Sequence, residues 1–306
     1  MNDFHWWMGL APLLGFLLDA LLGGTRLDRL VPDWVARVTP RAQFVSRNAA
    51  GSASRVAGWG VGLWVGGLAV VFAWLASLLG YVLYQEYGLF LMRSLVFLLL
   101  FGARGLTARG IEALVQISSG DMTAAKQSLA VLGARPRSDD PESLFGESVR
   151  ALAGATLGAT LIPLFWGVVG GSTLAAGALA VHLAAQFVAQ SAGDETPMNT
   201  AIARLDQLIS LPAAWVGGLV FPLVVSLVGG RRTAAAGAFF GAANLPPRER
   251  LANAICRGFE LVTPEGSDGP IASGGDVQNV VQVLFVGGFV CALLLSGVSV
   301  LLHHVI

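Results

Sequence analysis

The amino-acid sequence contains several long stretches that are almost entirely apolar. They lie at residues 6–22, 58–83, 89–102, 152–169, 174–189, 208–228 and 280–305. An α-helix needs roughly 20 apolar residues to cross the hydrocarbon core of a bilayer. In lipid each backbone amide and carbonyl must find a partner within the protein, and a helix supplies these partners locally. The pattern therefore predicts transmembrane α-helices.

The composition supports this interpretation. Hydrophobic residues make up 55% of the 306 positions and charged residues only 12%, and the mean hydropathy is +0.68. Such a chain is too apolar for an ordinary soluble domain. Basic and acidic residues balance at 19 each, so no net charge favours a nucleic-acid partner. We predict an all-α fold, a polytopic integral membrane helical bundle of about five or six segments in contact with the lipid bilayer, with helical cytoplasmic loops.

The apolar segments differ in how well they suit a full span. Segment 89–102 is short and holds Arg93, but the polar break at residues 84–87 predicts an antiparallel hairpin with segment 58–83. Segments 174–189 and 208–228 carry His182, prolines and glycines, so they can span, lie in the interface or re-enter. The remaining four are long enough to span, namely 6–22, 58–83, 152–169 and 280–305.

Arginine-rich loops set the predicted orientation. Loop 25–57 holds six arginines against two aspartates, and loop 104–150 holds six basic residues. Both are predicted to be cytoplasmic, with the N-terminus outside. The arginines of the polar stretch that follows residue 229 place it inside as well, which leaves one of the three apolar segments before it short of a full span. The predicted domains are a membrane domain at 1–229 with a helical insert at about 104–150, a cytoplasmic polar segment at 230–279 and a transmembrane helix at 280–306.

The insert reads as short helices. Residues 118–120, Ser-Ser-Gly, end the first helix, and Asp121 is suited to cap the second, which is predicted to run to Gly133. Asp140 followed by Pro141 predicts the start of a further helix that leads into the apolar segment at residue 152.

Ionisable residues inside apolar segments are costly in lipid, and each is a hypothesis for function. Asp19, Arg93 and His182 are of this kind. Asp19 lies near the end of its segment and Arg93 can snorkel, whereas His182 has no ligand-type residue at metal-binding spacing and is interpreted as a satisfied packing residue. His303 and His304 are interpreted as membrane-boundary residues. The sequence contains neither a phosphate-binding G-x-x-x-x-G-K-[ST] motif nor a G-x-S-x-G nucleophile elbow.

Several short motifs follow one another in the order of a known family. They are Leu17-Leu18-Asp19 with Gly23, Ala103-Arg104-Gly105-Leu106, Gly120-Asp121, Ala125-Lys126, Gly133-Ala134-Arg135, Ile162-Pro163-Leu164-Phe165-Trp166, Gly170-Gly171, Ala203-Arg204-Leu205-Asp206 and Leu211-Pro212-Ala213. Together they resemble the CobD/CbiB membrane proteins of cobalamin biosynthesis, over most of the chain to about residue 220. The resemblance implies a multi-pass protein of the bacterial inner membrane.

The chain lacks several of the acidic residues on which the catalytic chemistry of this family depends. The family's enzyme is adenosylcobinamide-phosphate synthase, an ATP-dependent amide-forming enzyme that needs Mg²⁺. Where the family has an acidic A-E-N-x-x-D stretch, this chain has Ala153-Gly154-Ala155 and Gly158, and Gln207 replaces a second aspartate. The polar residues that remain, as a candidate site, are Asp19, Arg104, Asp121, Arg135, Arg204 and Asp206. Arg204 and Asp206 open an otherwise apolar segment that ends in Pro212, so both are predicted to face inward.

Because it lacks these polar residues, the chain resembles AmpE, a non-catalytic relative of CobD/CbiB in the β-lactamase regulon. The resemblance implies a non-catalytic protein with a regulatory or scaffolding role, with no cofactor or metal and with a membrane-protein partner or a second copy of itself. Two alternatives stay open. An active synthase would use ATP and Mg²⁺, would need Arg104, Asp121, Arg135, Arg204 and Asp206 to converge, and would have Glu142 or Glu147 as substitute carboxylates. A small-solute transporter would place Asp19, Arg93 and His182 around a wet cavity.

The predicted orientation can be tested by cysteine labelling. A Ser119→Cys variant should react with a membrane-impermeant maleimide only after the inner membrane is permeabilised, because the arginine excess holds loop 104–150 inside. A Glu86→Cys variant, in the predicted outward turn, is the matched control and should react in intact cells. Reaction of Ser119→Cys in intact cells would contradict the topology.

Overall fold

The computed structural model describes residues 6–22, 30–46, 52–101, 103–131, 140–191, 197–259 and 274–305. Every regular element in these ranges is helical, which confirms the all-α prediction. The helices are α1 (Ala11–Leu22), α2 (Leu30–Ser46), α3 (Ser52–Leu100), α4 (Ala103–Ser118), α5 (Met122–Val131), α6 (Pro141–Thr156), α7 (Ile162–Ser191), α8 (Pro197–Leu227), α9 (Arg232–Gly241), α10 (Pro247–Gly258) and α11 (Gly274–Val305).

The chain folds as two compact units. Unit 1 comprises Met1–Gly102, Gly158–Ala213 and Ala292–Ile306, and unit 2 comprises Ala103–Leu157 and Ala214–Cys291. Their boundaries fall inside α8 and α11 and at the π-helical turn Leu157–Leu161 between α6 and α7. The insert at 104–150 and most of the polar segment at 230–279, predicted as separate regions, therefore belong to the same unit.

Helix α3 is a hairpin. Tyr84 and Gln85 leave helical torsion angles, and Gln85 has a φ of 51°. Gly80 and Gly88, on either side of this turn, face each other so closely that a Cβ atom on either would meet the other's backbone oxygen. The structure thus confirms the predicted antiparallel pair, and two glycines make the tight turn possible.

Helix α7 reverses at Gly170 and Gly171, where φ values of −148° and 68° interrupt it. The segment before this turn and the segment after it are therefore separate apolar legs, as the glycine pair indicates. The second leg packs closely on the first leg of α3, because a Cβ atom on Gly66 would lie 3.3 Å from the backbone oxygen of Gly177. Small residues allow such close approach of helices in lipid.

Four helical stretches of the described residues are long and apolar enough to cross a membrane. They are Ser54–Leu100, Ser143–Ala189, Pro197–Leu227 and Gln278–Leu302. The non-helical turns in α3 and α7 divide each of the first two into two legs. The N-terminal segment 6–22 is a correction: its α-helix has 12 residues and follows a 3₁₀ turn at Trp6–Leu10, so it is shorter than the span predicted there.

Helix α8 runs without a break through Pro212 and Pro222, although prolines at these positions allowed an interrupted segment. A proline inside a helix removes one backbone hydrogen bond, and in lipid a neighbouring side chain can compensate locally. The carbonyl that Pro212 leaves without its amide donor is that of Leu208, and the indole of Trp166 donates to the next carbonyl oxygen, that of Ile209, at 3.0 Å. Helix α8 is therefore long enough to span.

Loop 25–57, for which no helix bounds are predicted above, contains α2. Helix α2 packs against α3 and α7. Its Val35 is buried in a cluster with Val61 and Val65 of α3 and Ala184 of α7. The alternation of arginines with apolar residues at helical spacing was the signal in the sequence, since such a pattern is typical of an amphipathic helix.

In unit 2 the predicted helix boundaries are confirmed. Gly120 has a φ of 85° and ends α4, and the Asp121 carboxylate accepts a hydrogen bond from the Ala124 amide at 3.0 Å. Asp140 likewise caps α6 by accepting from the Ser143 amide at 2.9 Å, with Pro141 in the first helical position. The predicted end at Gly133 lies outside the described residues.

The two distant pieces of unit 2 share a core. Helix α6 packs against both α4 and α10, and Gly110 of α4 leaves room for the side chain of Leu152. Cys256 of α10 is buried, and burial raises the pKa of its thiol to about 11, although Arg150 and Arg257 act in the opposite direction. This thiol is therefore protonated near neutral pH.

The state of Cys256 predicts its reactivity. At pH 8 about one thiol in a thousand would be ionised, given a pKa of about 11, and the thiolate is the reactive form. In a Cys291→Ser background, Cys256 should react with iodoacetamide far more slowly than the exposed thiol of Ser119→Cys, and rapidly once the protein is unfolded. Equal rates in the folded protein would show that α10 does not bury Cys256.

Candidate functional site

A buried histidine and a carboxylate meet in unit 1. His182 lies on the second leg of α7, and its Nδ1 is 2.7 Å from Oδ1 of Asp206 on α8. The two side chains are 6% and 21% exposed. Polar groups in such surroundings are costly unless they are paired, so this contact stabilises the packing of α7 against α8.

Gln186 completes the cluster. It follows His182 by one helical turn, and its Nε2 is 2.8 Å from Nε2 of His182. With this orientation the amide donates to Nε2, so the imidazole carries its proton on Nδ1 and donates it to Asp206. Both ring nitrogens thereby have partners. We call His182, Gln186 and Asp206 the α7–α8 polar cluster.

Gly158, in the π-helical turn, approaches the same ring. A Cβ atom there would collide with Nε2 of His182. The close approach leaves no space between the turn and the imidazole for a side chain or for a substrate atom. Asp206 thus orients His182 as a carboxylate orients a general base. The nitrogen that would act on a substrate, Nε2, is already hydrogen-bonded to Gln186.

The structure separates the predicted candidate residues by role. Asp19 is buried at 2% exposure, and Asp206 belongs to the α7–α8 polar cluster. Arg204 is exposed, so the prediction that Arg204 and Asp206 both face inward is wrong for the arginine. One helical residue turns by about 100°, so positions two apart point to different sides.

The other candidates lie in unit 2 or outside the described residues. Asp121 is exposed and serves as a helix cap. Arg104 is the second residue of α4, but its side chain lies outside the described part of the structure, and Arg135 lies outside it altogether. A synthase site would require five residues to converge. Two of these five, Asp121 and Arg204, are exposed, and Asp121 serves as a helix cap.

Glu147 of α6 stands out in unit 2. Its Oε2 atom is buried and accepts no hydrogen bond in the described part of the chain. Burying a carboxylate oxygen without a hydrogen-bond donor costs free energy. Among the described side chains of unit 2, this oxygen is the one buried in that state. The Glu142 side chain is outside the described residues.

The α7–α8 polar cluster was only partly visible in the sequence. His182 was correctly interpreted as a satisfied residue, but its partner was missed because Asp206 is 24 positions away in the chain. The available signal was the pair His182 and Gln186: their spacing of four places two polar side chains on one face of an apolar helix.

Comparisons of the chain with protein-family models, with curated proteins and with solved structures give no match. Several residues of the short sequence motifs described above have clear structural roles. Trp166 bonds to α8, Gly170 and Gly171 form the turn in α7, and Gly120 and Asp121 separate α4 from α5.

Substitutions at Asp206 should show how much the α7–α8 polar cluster contributes to the free energy of unfolding. Asp206→Leu leaves the Nδ1 proton of His182 without an acceptor and should destabilise the protein by about 1–3 kcal/mol. Asp206→Asn keeps an oxygen acceptor and should cost less. The midpoint of thermal unfolding in mild detergent reports both effects, and Gln207→Ala, at the next and exposed position, is the control.

A double variant sharpens this test. In His182→Leu with Asp206→Leu neither polar partner is buried alone, so the loss should be smaller than the sum of the two single losses. Additive losses, or equal effects of Asp206→Leu and Gln207→Ala, would contradict a direct interaction.

Proposed function

We propose that the chain is a non-catalytic membrane protein of the CobD/CbiB type, similar to AmpE, with a regulatory or scaffolding role in the bacterial inner membrane. The packing around Gly158 carries this proposal. The resembling enzymes have an acidic residue at this position, and here the ring of His182 occupies the space that its side chain would need. A carboxylate cannot be accommodated there without moving α7.

The neighbouring positions of the same stretch support the proposal. Ala153 is buried in unit 2. A Cβ atom added to Gly154 would lie 3.7 Å from the Cβ atom of Arg248, so Gly154 packs against that side chain. Hydrogen atoms and methyl groups cannot coordinate Mg²⁺, which requires oxygen ligands in near-octahedral geometry. The stretch thus serves helix packing.

The α7–α8 polar cluster also supports a structural role. The imidazole of His182 has Asp206 on one nitrogen and Gln186 on the other. A general base must present a free nitrogen within hydrogen-bonding distance of its substrate. His182 in this arrangement instead fixes the contact between α7 and α8.

A residual synthase is the second candidate, and Glu147 is the observation that favours it. Its unpartnered Oε2 lies on α6, seven positions before Gly154. A carboxylate in this state could replace one of the lost acidic ligands for Mg²⁺ and ATP phosphates. The two candidates make opposite predictions for activity.

The deciding experiment is an assay with adenosylcobyric acid, aminopropanol phosphate, ATP and Mg²⁺, beside an authentic synthase. We expect no amide product from the purified chain. Turnover that is lost in Glu147→Gln but kept in Glu142→Gln, a second acid of the same helix, would overturn the non-catalytic proposal and establish the synthase. Turnover that survives both substitutions would also overturn it and would exclude these two carboxylates.

The regulatory role has its own test. In cells that carry this chain together with an inducible β-lactamase, deletion should change the level of induction, and the wild type and Glu147→Gln should restore it equally. No change on deletion would contradict a role in that regulon.

A further inference from the structure

The first leg of α3 carries an apolar strip on the outside of unit 1. Trp64, Val71, Leu75 and Val82 follow one another at intervals of seven, four and seven residues, which places them on one face of the helix. Each of these side chains is between 46% and 71% exposed. From Trp64 to Val82 the helix rises by about 27 Å, close to the roughly 30 Å of a hydrocarbon core. The strip is therefore the lipid-facing surface of this leg.

Aromatic side chains mark both ends of the strip. Trp64 begins it, and the exposed Tyr84 stands in the turn just beyond Val82. Tryptophan and tyrosine are enriched where the hydrocarbon core meets the headgroups. The end of the strip at Trp64 is therefore one membrane boundary of unit 1.

Helix α8 packs against the start of the same leg. A Cβ atom on Gly58 would meet the backbone oxygen of Met198, and one on Gly62 would meet the side chain of Leu205. The two helices therefore run in the same direction, so the residues that follow Leu205 extend into the apolar layer. Gly62 lies only two positions before Trp64, about 3 Å along the axis. Leu205 is thus level with the boundary that Trp64 marks.

Arg204, the neighbour of Leu205, is exposed at this boundary. Leu208 and Leu211 follow Arg204 by four and seven positions, spacings that place side chains on the same face of a helix. Leu208 is 61% exposed and Leu211 is partly exposed. The face of α8 that carries Arg204 therefore continues into the membrane as an apolar surface that is open to lipid.

Within the described residues, the guanidinium of Arg204 forms neither a hydrogen bond nor an ion pair. Asp206, two positions further on, is rotated by about 200° around the helix and is paired with His182. Arg93 of α3 differs, because it is partly buried and its Nη1 donates to the thioether sulfur of Met8 at 3.8 Å. A guanidinium carries five N–H donors and a full positive charge, so Arg204 can bind an anion from outside the chain.

We propose that Arg204 binds the phosphate of an anionic phospholipid at the membrane boundary marked by Trp64. A guanidinium can donate two parallel hydrogen bonds to phosphate oxygens, and an anionic headgroup supplies the countercharge that the described residues do not. The acyl chains of this lipid lie along Leu208 and Leu211. This inference is independent of the proposed function.

The test is native mass spectrometry of the full chain in detergent, with phosphatidylglycerol or phosphatidylcholine added. The wild type should retain phosphatidylglycerol in preference to phosphatidylcholine. Arg204→Gln should lower the retention of phosphatidylglycerol by about fivefold, the usual effect of one basic residue near an anionic lipid surface. Arg204→Glu should lower it further, because a carboxylate repels the phosphate.

The matched control is Arg55→Gln. Arg55 is exposed on the same unit, but it precedes Trp64 by nine positions and so lies about 14 Å beyond the boundary. Its substitution should leave the retention of phosphatidylglycerol as in the wild type. An equal loss in Arg55→Gln and Arg204→Gln would overturn the proposal, because retention would then follow the total charge of the protein.

Three other results would also overturn the proposal. One is unchanged retention in Arg204→Gln and Arg204→Glu. Another is displacement of the bound lipid by millimolar inorganic phosphate, because the ligand would then be a soluble anion. The third is a large fall in the midpoint of thermal unfolding in both variants without lipid, because Arg204 would then be needed within the protein itself.

Discussion

The close approach of helices through glycine is the contact on which unit 1 depends. Gly66 meets Gly177 where α3 crosses α7, and Gly80 meets Gly88 inside the hairpin of α3. In lipid no hydrophobic effect drives helices together, so packing between closely spaced backbones has to hold them. A methyl group at any of these positions would push the helices apart and weaken every contact between them.

The same close packing fixes the polar chemistry of unit 1. Gly158 lets the π-helical turn reach the His182 ring, and the resulting enclosure makes partners for both ring nitrogens necessary. π-Helical turns often occur at functional sites, where they redirect side chains. Here the turn brings backbone rather than a reactive group to the imidazole. Gly158 is thus part of a helix contact.

Much of this fold could be predicted from the sequence because its signals are local. The break before Glu86, the cap at Asp121 and the reversal at Gly170 each depend on a few adjacent residues. The pairing of His182 with Asp206 could not be predicted, because it depends on how two helices are rotated about their axes. For the same reason the inward direction of Arg204 was wrong while that of Asp206 was right: neighbouring positions on one helix face different surroundings.

The discontinuous build of unit 2 has a consequence for biogenesis. Helix α6 packs against α10, yet more than ninety residues separate their first positions, and the unit is complete only at Cys291. Chains are synthesised from the N-terminus at about 5–20 residues per second, so α6 waits several seconds before its partner emerges. During that interval the side of α6 that contacts α10 is uncovered. A ribosome stalled between the two helices would therefore leave an intermediate that needs a chaperone or is exposed to membrane proteases.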